Sequence, residues 1–269
     1  VMSLDRGGII AVSMPGFGTT NRTKTNAQAL AEALGVTFFT VPIGKAVTQH
    51  FKDIDHDPKV LDITYENAQA RERTQVLMDL ANKHGALVIG TGDLSELALG
   101  WTTYNGDHMS MYAINSSVPK TLLRPILAHE ANEAGEDLQA VLLDILSTPV
   151  SPELLPPSGD GAIGQKTEAV IGPYELHDFF LYYTLRWGFG PKKIYRFATK
   201  AFEDSYTPEE MRRWLTVFFT RFIASQFKRS ASPDGPQVGS VSLSPRTGFR
   251  APSDAQKQVW IEEIAKLTD

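Results

Sequence analysis

The 269-residue chain contains no cysteine. That excludes disulfides, thiolate metal sites and cysteine nucleophiles, and it fits the cytoplasm. No run approaches the ~18 apolar residues a helix needs to span a bilayer, so no membrane partner is expected. The opening residues, VMSLDRGGIIAV, lack a basic segment followed by a long apolar one and do not read as a secretory signal. Positive charge is in short supply. Lys and Arg number 26 against 31 Asp and Glu, for a net charge of -5, so nucleic acid is not an expected partner. No internal repeat is present. What remains is 42% hydrophobic and 21% charged, the profile of a soluble globular protein long enough for a sizeable core.

The first third alternates strand-like and helix-like runs. Gly8–Met14 reads as a buried strand, Thr23–Leu34 as a helix stopped by Gly35, and Val36–Val41 as a second strand. Tyr65–His84 reads as a long helix ending at Gly85, and Ala86–Ile89 as a third strand. Such alternation predicts an α/β fold with a parallel sheet and ligands beyond the carboxyl ends of its strands. Two Gly-containing loops, Met14–Thr20 and Gly90–Asp93, fall at those ends and are expected to converge on one crevice. After Ser147 the texture changes. Thr148–Gly164 reads as an exposed loop, and helices are expected around Tyr174–Trp187, Pro191–Phe202 and Pro208–Phe227. An irregular Ser230–Pro252 stretch and a last helix from Ser253 follow. The expected division is a nucleotide-binding α/β core over 1–147 and a loop-rich helical extension of the same domain over 148–269.

Several stretches carry chemistry. GTGDLSELALGWTTYNGD (Gly90–Asp107) mixes glycines with carboxylates. Asp93-x-x-Glu96 fits a capping box. As a dinucleotide fingerprint the stretch fails, because Ser95 stands where the third glycine belongs. Mg²⁺ would reconcile carboxylates with a phosphate ligand. HFKDIDHD (His50–Asp57) resembles a set of metal ligands, but Pro58 and Thr64 break the calcium-loop pattern and a solvated loop fits better. Ser117-x-x-Lys120 and Ser225-x-x-Lys228 match a serine-nucleophile pattern whose companion motifs are absent. RWGFGPKKIYRFATK (Arg186–Lys200) interleaves cations with rings and reads as a snorkelling helix face, with a nucleic-acid surface as the lesser alternative. Two adjacent cations in QFKRS suit a helix end, or an anion brought in from elsewhere.

These stretches, in order, resemble the synthetase domain of the glutamine-dependent NAD⁺ synthetase family. The resemblance rests on MPGFGTTNRTKTNA, DITYENAQARERT, GTGDLSELALGWTTYNGDHMSMYAINSSVPKTL, GPYELHDFFL and SQFKRSASPDGP, and it covers nearly the whole chain. It implies a Rossmann-like sheet of the adenine nucleotide alpha hydrolase type. It also implies a ligase: the nicotinate carboxylate of deamido-NAD⁺ attacks the α-phosphate of ATP, and ammonia then displaces AMP to give NAD⁺. Thr91, Glu96 and Lys120 match ATP contacts, with Glu96 the expected Mg²⁺ ligand. Asn67, Glu96, Trp101, Thr102, Thr103, Tyr104 and Lys228 match the deamido-NAD⁺ site, and Arg71 faces the same way as Asn67, one helical turn on. Asp107 matches an acid near the nicotinate and ammonia, so Glu96, Asp107 and Lys120 are the expected catalytic set. A homodimer and a glutaminase domain supplying ammonia are implied as partners.

Two departures stand out. The family's Ser-Gly-Gly-x-Asp-Ser phosphate loop is absent, with Arg6-Gly7-Gly8-Ile9 the nearest string. The expectation is therefore an N-terminally truncated, carboxyl-terminal fragment that is inactive alone. Gln165-x-x-Glu168 fits a family pattern, but Lys166 stands where a small hydroxyl residue is common. Two other readings remain open: a non-catalytic nucleotide-binding or assembly module, and a different ATP pyrophosphatase that activates another carboxylate or carbonyl.

Overall fold

The computed structural model describes residues 5–148, 151, 153–156 and 167–267. The chain forms two compact units, one from Val1–Ala86 and Arg124–Thr167, the other from Leu87–Leu123 and Glu168–Asp269.

In the first unit, β1 (Ile10–Ser13), α1 (Asn21–Leu34) and β2 (Thr37–Thr40) make a strand–helix–strand crossover. The two strands pair in parallel, from Ile10 opposite Thr37 to Ser13 opposite Thr40. Thr20 caps α1 by accepting the Thr23 amide at 3.2 Å. Next come α2 (Gly44–Asp53) and α3 (Ile63–His84), which starts on the Asp62 carboxylate and ends at a left-handed Gly85. They pack around Ile43, Val47, Phe51, Tyr65 and Ala68. Phe17, from the first Gly-containing loop, joins this core 5.6 Å from the Tyr65 ring. Gln69, fully buried on α3, fixes that loop: its Oε1 accepts the Phe17 amide at 3.0 Å and its Nε2 donates to the Leu154 carbonyl at 2.8 Å.

The second unit begins with β3 (Ile89–Gly90), α4 (Leu94–Leu99) and β4 (Tyr112–Ala113). Helix α5 (Lys120–Glu133) begins in this unit, and α6 (Glu136–Ser147), which follows it, belongs to the first unit and packs on α1 there. The remaining helices are α7 (Thr167–Ile171), α8 (Tyr174–Trp187), α9 (Pro191–Ala201), α10 (Pro208–Ala224), α11 (Gln226–Ser230) and α12 (Gln258–Ala265). α10 is the hub. It opens with a Thr207–Glu210 capping box and Pro208 in its first turn, and buries Met211, Leu215, Phe218, Phe219, Phe222 and Ile223 against α4, α8, α9 and α12.

The α/β class with parallel strands holds. The third strand differs from expectation. It shrinks to Ile89–Gly90 and pairs in parallel with β4, which the sequence did not announce. Leu87 is 71% exposed, so the apolar run before it is not a strand buried on both faces. The two Gly-containing loops belong to different units, Met14–Thr20 to the first and Gly90–Asp93 to the second. Most of the Thr148–Gly164 loop, and Gln165 with Lys166, lie outside the described residues.

Candidate active site

Helix α4 has six residues and organises the Gly90–Asp107 stretch. Its amino end is a full capping box. The Asp93 carboxylate accepts the Glu96 amide at 2.9 Å, and Glu96 Oε2 accepts the Asp93 amide at 3.1 Å. Both carboxylates also receive Lys120, whose Nζ stands 2.6 Å from Asp93 Oδ2 and 2.8 Å from Glu96 Oε1. Asp93 is 1% exposed in its side chain and Glu96 22%, so three charges share a largely dry corner. Burial pushes the Glu96 carboxyl up to about 7, and the Asp93 charge adds to the rise while Lys120 opposes it. Burial also works against the Lys120 ammonium, but the Glu96 and Asp93 carboxylates together outweigh it and its pKa rises.

Lys120 is the first residue of α5, and its placement is itself supported. Its amide donates to Ser95 Oγ at 2.8 Å. Ser95 Oγ donates in turn to Asp178 Oδ1, and Asp178 Oδ2 accepts both the amide (3.1 Å) and the hydroxyl (2.7 Å) of Thr121. Asp178 thus caps α5 from α8, and burial raises its pKa. Tyr174, also on α8, lies under the cluster with the Lys120 ammonium 5.5 Å from its ring centre. Its buried hydroxyl has no hydrogen-bond partner among the described residues, and burial among carboxylates raises its pKa. Neither Asp178 nor Tyr174 was singled out from the sequence; the GPYELHD string that holds them was noted only as a resemblance. Glu168, from the Gln165-x-x-Glu168 pattern, accepts the Tyr174 amide at 3.0 Å.

The carboxyl end of α4 is built from cations. Arg221 Nε donates to the Leu99 carbonyl at 3.0 Å. Arg229, 1% exposed, donates to the Leu97 and Ala98 carbonyls at 3.2 and 3.0 Å and to the Phe222 carbonyl. Lys228 Nζ donates to the Gly100 and Thr102 carbonyls at 2.8 and 2.5 Å. Burial lowers the pKa of each cation, Arg229 to about 10. Gly100 ends the helix at φ 58°, where a Cβ would collide with the Ser225 side chain, and a Cβ on Gly90 would collide with Ser110.

This end holds the following segment in place. Trp101 lies beneath Arg221, with the guanidinium 5.1 Å from a ring centre. Tyr104 stacks on His108 at 5.1 Å and meets Phe227 at 5.4 Å. Asp107 Oδ1 accepts the Thr103 amide at 2.7 Å, closing the turn. His108 accepts the Asn105 amide on Nδ1, which leaves Nε2 to donate to the Lys228 carbonyl.

The second unit therefore holds Thr91, Glu96, Trp101, Thr102, Thr103, Tyr104, Asp107, Lys120 and Lys228, while Asn67 and Arg71 lie on α3 in the first. Among them, Glu96 and Lys120 are in direct contact, and Lys228 supports Thr102. Thr91 is exposed just before α4, its carbonyl 3.5 Å from Asn115 Nδ2. Ser117 Oγ bonds the Pro236 carbonyl and the Val238 amide, a structural role that leaves no nucleophile at Ser117-x-x-Lys120.

The family model described as NAD synthase matches residues 1–194. The glutamine-dependent NAD(+) synthetase of Mycobacterium leprae is 44% identical over 97% of this chain, and that of Thermotoga maritima 32% over 75%. The chain spans 42% and 33% of those relatives' lengths. Among solved structures, a glutamine-dependent NAD(+) synthetase from Cytophaga hutchinsonii shares the fold at a TM-score of 0.73 and 22% identity, covering 96% of this chain and 40% of that one. An NMN synthetase from Francisella tularensis does so at 0.56 and 20%, covering 82% and 75%. The chain belongs to the NAD synthase family.

Proposed function

We propose that the chain is the synthetase portion of an NAD⁺ synthetase, and that the amino end of α4 is where ATP activates deamido-NAD⁺. The observation that carries this is the Lys120 ammonium, held between Asp93 and Glu96 at the mouth of a helix. A carboxylate does not exchange its oxygen for ammonia unaided, and adenylation provides the leaving group. The nicotinate oxygen bonds the α-phosphorus as pyrophosphate departs; ammonia then bonds the carbonyl carbon as AMP departs and a proton is lost.

Each residue has a part in this reading. Lys120 exchanges one carboxylate partner for a phosphate oxygen and neutralises the charge that builds there. Thr91 lies beside the adenine nucleotide. Trp101 to Tyr104, kept in place by Lys228 and Arg221, line the site for deamido-NAD⁺. Asp107 receives the proton of the incoming ammonia. Mg²⁺ fits the donor present: the Glu96 carboxylate is 22% exposed and offers hard oxygens, and the ion commonly takes one or two carboxylates plus phosphate oxygens. When bound, Mg²⁺ supplies neutralisation of phosphate charge, with Glu96 as the expected ligand. A homodimer, a glutaminase domain that supplies ammonia, and a cytoplasmic location complete the proposal.

The test is ATP-dependent conversion of deamido-NAD⁺ to NAD⁺ with ammonium in the full-length protein. Glu96→Ala and Lys120→Ala should each lower turnover by at least a hundredfold. Near-normal turnover in either variant would overturn the role given to that residue.

A further inference from the structure

Away from α4, a cavity of about 760 Å³ opens between α8 and α9. Its walls are not those of an ordinary solvated face. Arg196 and Phe197 each lie three or four residues from both Lys193 and Lys200, so α9 presents the four as one stripe about 10 Å long. Phe179 and Tyr183 of α8 form the opposite wall, and Phe197 is 43% exposed. The chain carries a net charge of -5, yet four cations line this cavity against a single carboxylate, Glu263. Glu263 is occupied: its Oε1 accepts the Lys192 amide at 3.1 Å. Lys200 is paired with Glu203, but Lys193 and Arg196 have no carboxylate partner among the described residues. The Lys193 ammonium sits instead over the Phe189 ring, 3.6 Å from its centre. Lys193, Arg196 and Lys200 nonetheless all line the same concave surface.

We propose that this cavity is a second nucleotide site, taking a nucleoside phosphate with its planar base against Phe197 and its phosphate on Lys193 and Arg196. The volume is that of a small-molecule site, typically about 300–1,000 Å³. A single phosphate placed between cations one helical turn apart reaches both. The excess of negative charge over the whole chain disfavours a long polyanion such as RNA and leaves a short one. None of the residues around Lys120 lines the cavity, so this site stands or falls independently of the proposed reaction.

The experiment is photolabelling of the full chain with 8-azido-AMP, followed by peptide mapping. Label is expected on the segment 179–201. AMP should compete for it at least tenfold better than inorganic pyrophosphate. Lys193→Ala combined with Arg196→Ala should cut labelling at least tenfold, with no change in thermal midpoint because both side chains are exposed. Phe197→Ala should weaken AMP but not pyrophosphate. Lys120→Ala should leave this label untouched. Absence of label from the segment, or full labelling of the double variant, would overturn the site. Pyrophosphate competing as well as AMP would overturn the base-binding half of it. Should the double variant melt early, Arg196→Glu alone must still lose label.

Discussion

The two ends of α4 use opposite solutions to the same problem. Any helix leaves amides unpaired at its start and carbonyls at its finish, with partial charges of opposite sign. At six residues α4 is far too short to stand unaided. Its start is satisfied by Asp93 and Glu96, which then need a cation and have Lys120. Its finish is satisfied by Arg221, Lys228 and Arg229, which take carbonyls and, among the described residues, no carboxylate. Carbonyls neither titrate nor leave, so the finish has one arrangement. Carboxylates can take a proton or a different cation, so the start can change partners without undoing the helix. An end with one arrangement that supports Trp101–Tyr104 and an exchangeable end that handles charge are what the proposed two-substrate site requires.

The contrast breaks most severely at Arg229. Arg229→Met leaves the Leu97, Ala98 and Phe222 carbonyls and the Gln226 amide oxygen without their donor in a buried setting. Each buried acceptor left without a donor costs about 1–3 kcal/mol, and four are involved here. Urea unfolding should show a large fall in midpoint, with Arg229→Lys restoring only part. An unchanged midpoint would mean that the carboxyl end of α4 needs no cation.

Lys120→Met tests the other end, with an expected loss of roughly 3 kcal/mol near neutral pH and a pH dependence the Arg229 variant lacks. Glu96 has a folded pKa above its unfolded value, so the folded state holds the extra proton between the two. A raised carboxyl pKa makes stability fall as pH rises through that window. Lys120 offsets part of this only while Glu96 is ionised. The gap should therefore keep a constant part from the Lys120–Asp93 pair and widen from pH 5 toward pH 8 as Glu96 ionises, measured by thermal midpoints. A gap that stays constant across that range would mean that Glu96 and Lys120 are not coupled.

Elements with strong local punctuation were legible in the sequence. α1, α3 and α8 end at left-handed glycines, α3 starts on an aspartate, and α10 opens with a capping box and a proline; all stood close to their expected limits. α2 and α6 went unannounced because neither Ile43 nor Gly135 offers a capping side chain, and α5 because Pro125 interrupts its pattern. At the site, Asp93-x-x-Glu96 was readable because capping is local. The meeting of Lys120 with both carboxylates spans 24 residues or more, and Asp178 reaches Thr121 across 57, so neither could be read from spacing. Lys228 shows the limit differently. Its match to a substrate-contacting lysine was visible, but the Gly100 and Thr102 carbonyls that hold its ammonium were not.

The smallest expected effect on stability is also the most informative about that division of labour. Lys228→Met removes two hydrogen bonds to carbonyls of a partly exposed turn, at a cost of about 1 kcal/mol. Its consequence should appear instead in the segment those carbonyls belong to. With Gly100 and Thr102 released, Trp101–Tyr104 loses a support, and the KM for deamido-NAD⁺ should rise roughly tenfold while the KM for ATP stays within about twofold. Equal loss on both substrates would place Lys228 with the Lys120 cluster rather than with the fixed end of α4. Loss of turnover without any change in KM would mean that its ammonium acts in the reaction itself, and that the carbonyl contacts are a resting arrangement which the substrate displaces.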